Sequence, residues 1–449
     1  MIELPEHAFE SGRPVALRGA RTPAPFLPDQ GDASVDRDGA ALIDILVVDG
    51  RVTAVGPSGA VTAPEGTIEV ELDGRHVWPT LVDMHAHLDK GHIVDRAPNP
   101  DGTHEGAAAA TGVDREARWR HDDLVRRMSF GLACAEAHGV SAIRTHLDSH
   151  EGQGPETWGA FRAARDAFAG RVALQAVALA PMEIYATPYA EALADIVAET
   201  GGLLGGVARL DGASPQDDLA AFDALLDRMF ALADARGLDV DLHVDESADT
   251  ARATLPTIAR ATLRHGYEGR VACGHCCSLA LQDEATLDEH IKLVADAGVA
   301  VVTLPTVNMY LQDRRAGRTP RWRGVTPVQE LTAGGVRVAV AGDNCRDPFY
   351  AYGDHDMLDT FRQGVKILHL DHPFGRAAAL AGPVPADVMG LSDHGAIRAG
   401  GPANLILLDA WSMDQVLARP QGDRIVIRDG RRLTAAPPSY AALRSQPSR

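Results

Sequence analysis

Lysine is nearly absent from this chain. Only Lys90, Lys292 and Lys366 occur in 449 residues, so 40 of the 43 basic side chains are arginine. Basic charge as a whole is short: 62 acidic residues leave a net charge of −19. A surface this acidic repels phosphate backbones and anionic lipid. With no local basic patch in the sequence, neither nucleic acid nor a membrane surface is expected as a partner. Cysteine is also sparse: Cys134, Cys273, Cys276, Cys277 and Cys345 are the five, an odd number, with three inside a five-residue stretch. That excludes a secreted disulfide framework. No uninterrupted apolar run approaches the ~18 residues of a membrane span. The first twenty residues lack the basic start and apolar run of a signal peptide, so a cytoplasmic location is expected.

What is present suits a large folded protein. The hydrophobic fraction of 45% and charged fraction of 23% are ordinary for a globular chain. The two ends read alike. Asp44–Val55 holds two apolar runs about Asp49-Gly50, and Arg424–Arg431 repeats the signal about Asp429-Gly430. Asp-Gly supplies the positive φ angles of a two-residue hairpin. Both termini are therefore expected to build one small β-sandwich domain, from residues 1–78 and 398–449.

The middle alternates differently. Apolar runs Leu81–His87, Val140–His146, Val172–Leu179, Leu203–Leu210, Leu238–His243, Arg270–His275, Val299–Leu304 and Val336–Ala341 are separated by helical stretches such as Asp122–His138, Asp217–Arg236, Glu284–Ala297 and Asp354–His369. Eight strand–helix alternations predict an α/β fold, a TIM-like (β/α)8 barrel over residues 79–397. An open doubly wound sheet would alternate too, but the glycine-rich phosphate loop after the first strand is missing.

In such a barrel, functional groups gather at the C-terminal strand ends. The first run ends in His85-Ala-His87, two imidazoles on one face of a strand. In the fifth, Asp239, Asp241, His243 and Asp245 alternate with apolar residues and form a polar face that should point into the lumen. The sixth ends in His275 and the eighth in Asp343. Three histidines and an aspartate can bind one Zn²⁺ or Fe²⁺ and leave a position for water. Glu246, three residues past His243, is placed to move a proton between that water and a leaving group.

These strand ends carry a resemblance. HAHLDK (85–90), RTHLDS (144–149), HVDES (243–247), GHCCSLA (274–280), LPTVNMYLQDR (304–314) and GDNCRDPFYAYGDHDMLD (342–359) resemble the amidohydrolase superfamily in its cytosine-deaminase-like branch. The resemblance spans the barrel, and the terminal β domain fits it. It implies a metal-dependent hydrolytic deaminase, releasing ammonia from an aminated N-heterocycle. It implies one divalent ion, Zn or Fe, on His85, His87, His243 and Asp343. Glu246 would carry a proton from the attacking water to a ring nitrogen. His275 would orient that water, and Asp343 would also accept a proton. Binuclear relatives use a carboxylated lysine on the fourth strand, and none of the three lysines falls there.

The recognition shell departs from the branch. Where cytosine deaminases place a glutamine after the third strand, this chain has Pro181; Asn344 replaces a second aspartate and Phe349 a tryptophan. A pterin or a triazine amine is therefore an alternative to a pyrimidine. Lys90, Gln175, Glu183 and Asn308 are the candidate substrate contacts, and His146 and Asp148 also end a strand near the site.

Other readings fit less well. Cys273-Gly-His-Cys276 has the spelling of a disulfide oxidoreductase, but it ends a late strand rather than opening a helix. The H-x-E and P-C-x-x-C motifs of the other zinc deaminases are missing. A non-catalytic barrel would not need the proton-shuttling set. A cyclic amide hydrolase stays open, as does a homo-oligomer.

Overall fold

The computed structural model describes residues 2–10, 12–28, 34–210, 212 and 214–444. The chain divides into two units. The first holds Met1–Asp83, Cys134–Ala142 and Asp356–Pro437, the second Met84–Ala133, Ile143–His355 and Pro438–Arg449. The first unit takes in more of the chain than residues 1–78 and 398–449. Trp78 packs edge-on against Phe361 at 5.7 Å, and Arg424 pairs with Asp356, so the segment after Asp356 belongs with the terminal sheet.

The first unit contains β1 (Val15–Pro23), β2 (Ala40–Val48), β3 (Arg51–Pro57), β4 (Ile68–Glu71) and β5 (His76–Pro79). Where a β-sandwich is expected, the terminal strands form one eight-stranded hydrogen-bonded network that branches at β1. There, β4 pairs with the first half of the strand and β5 with Arg21 near its end. A register shift between Leu17 and Ala20 marks the bend. Asp49 and Gly50 (φ 48° and 78°), like Asp429 and Gly430 (φ 47° and 69°), adopt the left-handed turn conformation that their sequence predicts. A buried aliphatic core runs from Leu17 and Ile43 to Leu405 and Ile427.

The barrel strands are β6 (Leu81–Ala86), β7 (Val140–Asp148), β8 (Ala173–Leu179), β9 (Leu204–Ala208), β10 (Val240–Val244), β11 (Val271–His275), β12 (Ala300–Thr303) and β13 (Val338–Val340). All eight lie where the apolar runs predict them. They form two arcs, β6-β7-β8 and β9 to β13. Parallel bridges Val177↔Leu203 and Pro181↔Val207 join the arcs on one side, and Ala86↔Asp343 closes the ring on the other. Some of the helices begin on side-chain caps: Ser214, Asp283 and Asp356 each accept a backbone N–H of the first turn. The carboxy-terminal strands β14 (Leu405–Leu408), β15 (Ile425–Arg428) and β16 (Arg431–Arg432) complete the terminal sheet, with β14 antiparallel to β5. Among the described residues, no helix is long and apolar enough to cross a membrane.

Candidate active site

Ring closure itself builds part of the site. The Asp343 N–H donates to the His85 carbonyl at 2.7 Å, tying the end of the eighth strand to the first. Asp343 and His275 both sit at positive φ, 62° and 69°, where each strand breaks off. Such backbone costs about 1–3 kcal/mol per residue and concentrates at functional sites. Gly274 is required by close approach: a Cβ there would lie 2.8 Å from Cε1 of His85.

Four predicted residues converge. Nε2 of His85 lies 3.3 Å from Nε2 of His243, which lies 3.2 Å from Nε2 of His87. Oδ1 of Asp343 is 3.1 Å from His87 Nε2 and 3.6 Å from His85 Nε2. All four side chains are buried. Burial, then neighbouring histidines, holds the His85 and His243 imidazoles far below their usual range and therefore neutral. Neutral ring nitrogens cannot all donate to one another at these distances. Neither carboxylate oxygen of Asp343 accepts a hydrogen bond among the described residues. This crowd of buried lone pairs fits a divalent cation. His275 also joins a group with His85, His243 and Asp343 whose ligating atoms lie within 4.8 Å of one another.

Glu246 reaches the same point from the loop after β10. Its Oε1 is 3.7 Å from Nδ1 of His275 and 3.5 Å from the amide nitrogen of Asn308. Burial, reinforced by the Asp343 charge, pushes its carboxyl up to about 8. A carboxyl in that range can both give and take a proton near neutral pH.

Beside these groups opens a cavity of about 260 Å³, lined by His87, His243, Glu246, His275 and Asp343. All three departures from the cytosine-deaminase pattern, Pro181, Asn344 and Phe349, line it. Lys90 lines it too: Nζ donates to Asp148 at 2.8 Å and lies 3.4 Å from Nδ1 of His87. Burial lowers the Lys90 ammonium, but Asp148 and Asp89 outweigh it and hold it above its usual value. Asp148 also accepts from Arg115 at 2.7 Å.

Other predicted contacts lie elsewhere. Gln175 is not among the residues lining the cavity; its Oε1 accepts from Arg144 Nε and Nη2 at 3.1 and 3.0 Å. Glu183 is exposed on a short 3-10 turn away from the cavity lining. Asn308 is buried and touches His275 and Glu246 rather than the cavity. The polar face of β10 splits as well. Asp241 is in the lumen, bonded to Arg144 at 2.8 Å, whereas Asp239 pairs with Arg270 and is partly exposed. Asp245, at φ 52°, turns away and accepts from Thr254 N, Thr254 Oγ1 and Leu255 N, capping the next helix. His146 packs its ring against that of His85, with centroids 3.9 Å apart, and is buried. The Cys273, Cys276 and Cys277 thiols are buried, and burial pushes each of them well above the usual thiol range.

Sequence reasoning missed His104 and Arg209. His104 Nε2 is 3.8 Å from Glu246 Oε2, and Arg209 holds His104 Nδ1 at 3.1 Å. His104 opens a helix that sits between the first two barrel strands, so no strand-end signal marks it.

Residues 121–434 match the model of the amidohydrolase family. The pterin deaminase of Rhizobium rhizogenes is 48% identical over 407 residues, covering 90% of this chain and 91% of that protein. The N-isopropylammelide isopropyl amidohydrolase of Pseudomonas sp. is 26% identical, over 82% of this chain and 88% of that protein. Among solved structures, a 5-methylcytosine deaminase from Klebsiella pneumoniae superposes with a TM-score of 0.77 at 24% identity, covering 94% of this chain and 98% of its own, and shares the fold. With eight strands in a closed ring and buried histidines beside an aspartate at its mouth, this chain belongs to the amidohydrolase family, on its deaminase branch, and is an enzyme that hydrolyses carbon–nitrogen bonds.

Proposed function

We propose that the enzyme deaminates a pterin-type bicycle, replacing an exocyclic amino group with oxygen and releasing ammonia. The observation that carries this reading is the 48% identity to a pterin deaminase over nine-tenths of the chain. The cavity supports it. Pro181 stands where a pyrimidine reader carries glutamine, and Phe349 gives the cavity an aromatic wall.

His85, His87, His243 and Asp343 would hold one divalent cation, Zn or Fe. When bound, such a cation lowers the pKa of water and stabilises negative charge that develops on oxygen. The chain's own residues do the rest. Glu246 takes a proton from the attacking water and delivers it to the ring nitrogen next to the attacked carbon. Asp343 accepts the second proton and passes it to the departing amine, which leaves as ammonia. Asn308 donates to Nδ1 of His275 at 2.9 Å, so the ring proton sits on Nε2. Nε2 has no other partner among the described residues and would donate to the incoming oxygen.

Ammonia release from a panel of pterins, aminopyrimidines and aminotriazines tests the proposal. The highest kcat/KM is expected on a pterin. Turnover confined to pyrimidines or triazines would overturn the substrate assignment, and no ammonia from any of them would overturn the deaminase reading.

A further inference from the structure

A second group of metal-ligating side chains lies outside the site described above. His92 is in the loop after β6, and Cys345 and His355 follow β13. One ligating atom from each lies within 4.8 Å of the other two, and all three residues are buried. Cys345 is a free thiol. None of the three lines the substrate cavity.

Three observations set this group apart from ordinary core packing. First, His92 is 8% exposed, yet neither ring nitrogen has a hydrogen-bond partner among the described residues. A buried polar group left without a partner is destabilising. Second, His92 and His355 both occupy left-handed backbone, at φ 63° and 54°. That conformation is unfavourable for a residue with a Cβ, and the two rings end with centroids 5.4 Å apart. Third, the surroundings are cut to fit. A Cβ on Gly131 would lie 2.9 Å from His355 Nε2, and one on Gly353 would lie 3.3 Å from Cys345 Sγ. Phe130 closes the His92 side, edge-on at 4.7 Å.

We infer that His92, Cys345 and His355 form a second cation site. One thiolate and two imidazoles suit a borderline-soft d10 ion such as Zn²⁺. Bonds of about 2.0–2.3 Å place ligand atoms about 3.3–3.8 Å apart, so small side-chain movements suffice to close it. Binding forms the Cys345 S–metal bond and releases the thiol proton to solvent; no electron moves. The role is structural. His92 N–H donates to the Cys345 carbonyl at 3.2 Å and Val94 N–H to the Arg346 carbonyl at 3.0 Å. The ion would therefore clamp the loop that follows His87 and Lys90 to the one that follows Asp343.

Cobalt titration of the metal-free full-length protein tests this without reference to turnover. Two equivalents per chain are expected, one of them producing a near-ultraviolet thiolate-to-cobalt charge-transfer band. No cysteine is among the ligands proposed at the barrel mouth. Cys345→Ser and, separately, His92→Phe should each remove the band and one equivalent while leaving the other. Wild-type protein that binds cobalt without a thiolate band overturns the inference by itself. So does a band that survives in folded Cys345→Ser, because it would come from Cys134, Cys273, Cys276 or Cys277, and a folded His92→Phe that keeps both equivalents and an unchanged band removes His92 from the ligand set.

Discussion

The side-chain amide of Asn308 donates to Nδ1 of His275 at 2.9 Å and so decides which nitrogen of that ring faces the cavity as a donor. An aspartate at 308 would accept a hydrogen bond from Nδ1–H, favouring the tautomer that leaves a bare lone pair on Nε2. Asn308→Asp is therefore expected to lower kcat by about 10²-fold, the scale for loss of one transition-state donor, with KM close to wild type. An unchanged kcat with ammonia as readout would remove His275 from its assigned role.

Glu246→Gln separates proton transfer from metal binding. Its carboxyl touches Asn308 and His275. Elemental analysis should find wild-type metal content, while kcat falls by about 10²–10⁴-fold, the usual contribution of a general acid–base. Retained turnover would refute the shuttle.

Arg144 and Asp241 form a fully buried pair at 2.8 Å beneath the cluster. Removing one partner strands the other charge, which typically costs about 3–5 kcal/mol. Arg144→Met should lower the melting temperature markedly. Arg144→Met with Asp241→Asn should recover much of the loss, since burial already pushes Asp241 up to about 6 and favours its neutral form. A double variant no more stable than the single one contradicts this account.

His76 governs part of the acid limb. Burial, with Arg21 adding, pushes its imidazole from 6.5 down to about 3, and Nδ1 accepts from Trp78 Nε1 at 3.1 Å. Between about 6.5 and about 3 the unfolded chain holds the extra proton, so stability falls as pH drops through that window. His76→Gln keeps an acceptor for Trp78 and removes the titration. Its acid-unfolding midpoint, followed by near-ultraviolet circular dichroism, should move to lower pH; a midpoint unchanged or moved upward would deny His76 this part.

Reading the chain alone placed all eight barrel strands, both Asp-Gly hairpins and the imidazole–carboxylate set. Each of those depends on short-range rules. Strand alternation puts His85 and His87 on one face, and barrel architecture puts functional side chains at strand ends. Gln175 and Asp245 followed the same rules and ended elsewhere. Gln175 faces Arg144, which lies 31 positions earlier in the chain. Asp245 turns out of the strand at φ 52° to cap a helix.

Local pattern thus marked out the barrel and the donor atoms that can meet at its mouth, because periodicity and strand ends are written in neighbouring residues. Partnerships between separate segments came only with folding: Asn308 on His275, His104 against Glu246, and His92 beside Cys345. Each joins positions far apart in the chain, and their distances follow from how the helices and loops pack on the closed ring rather than from any spacing along it.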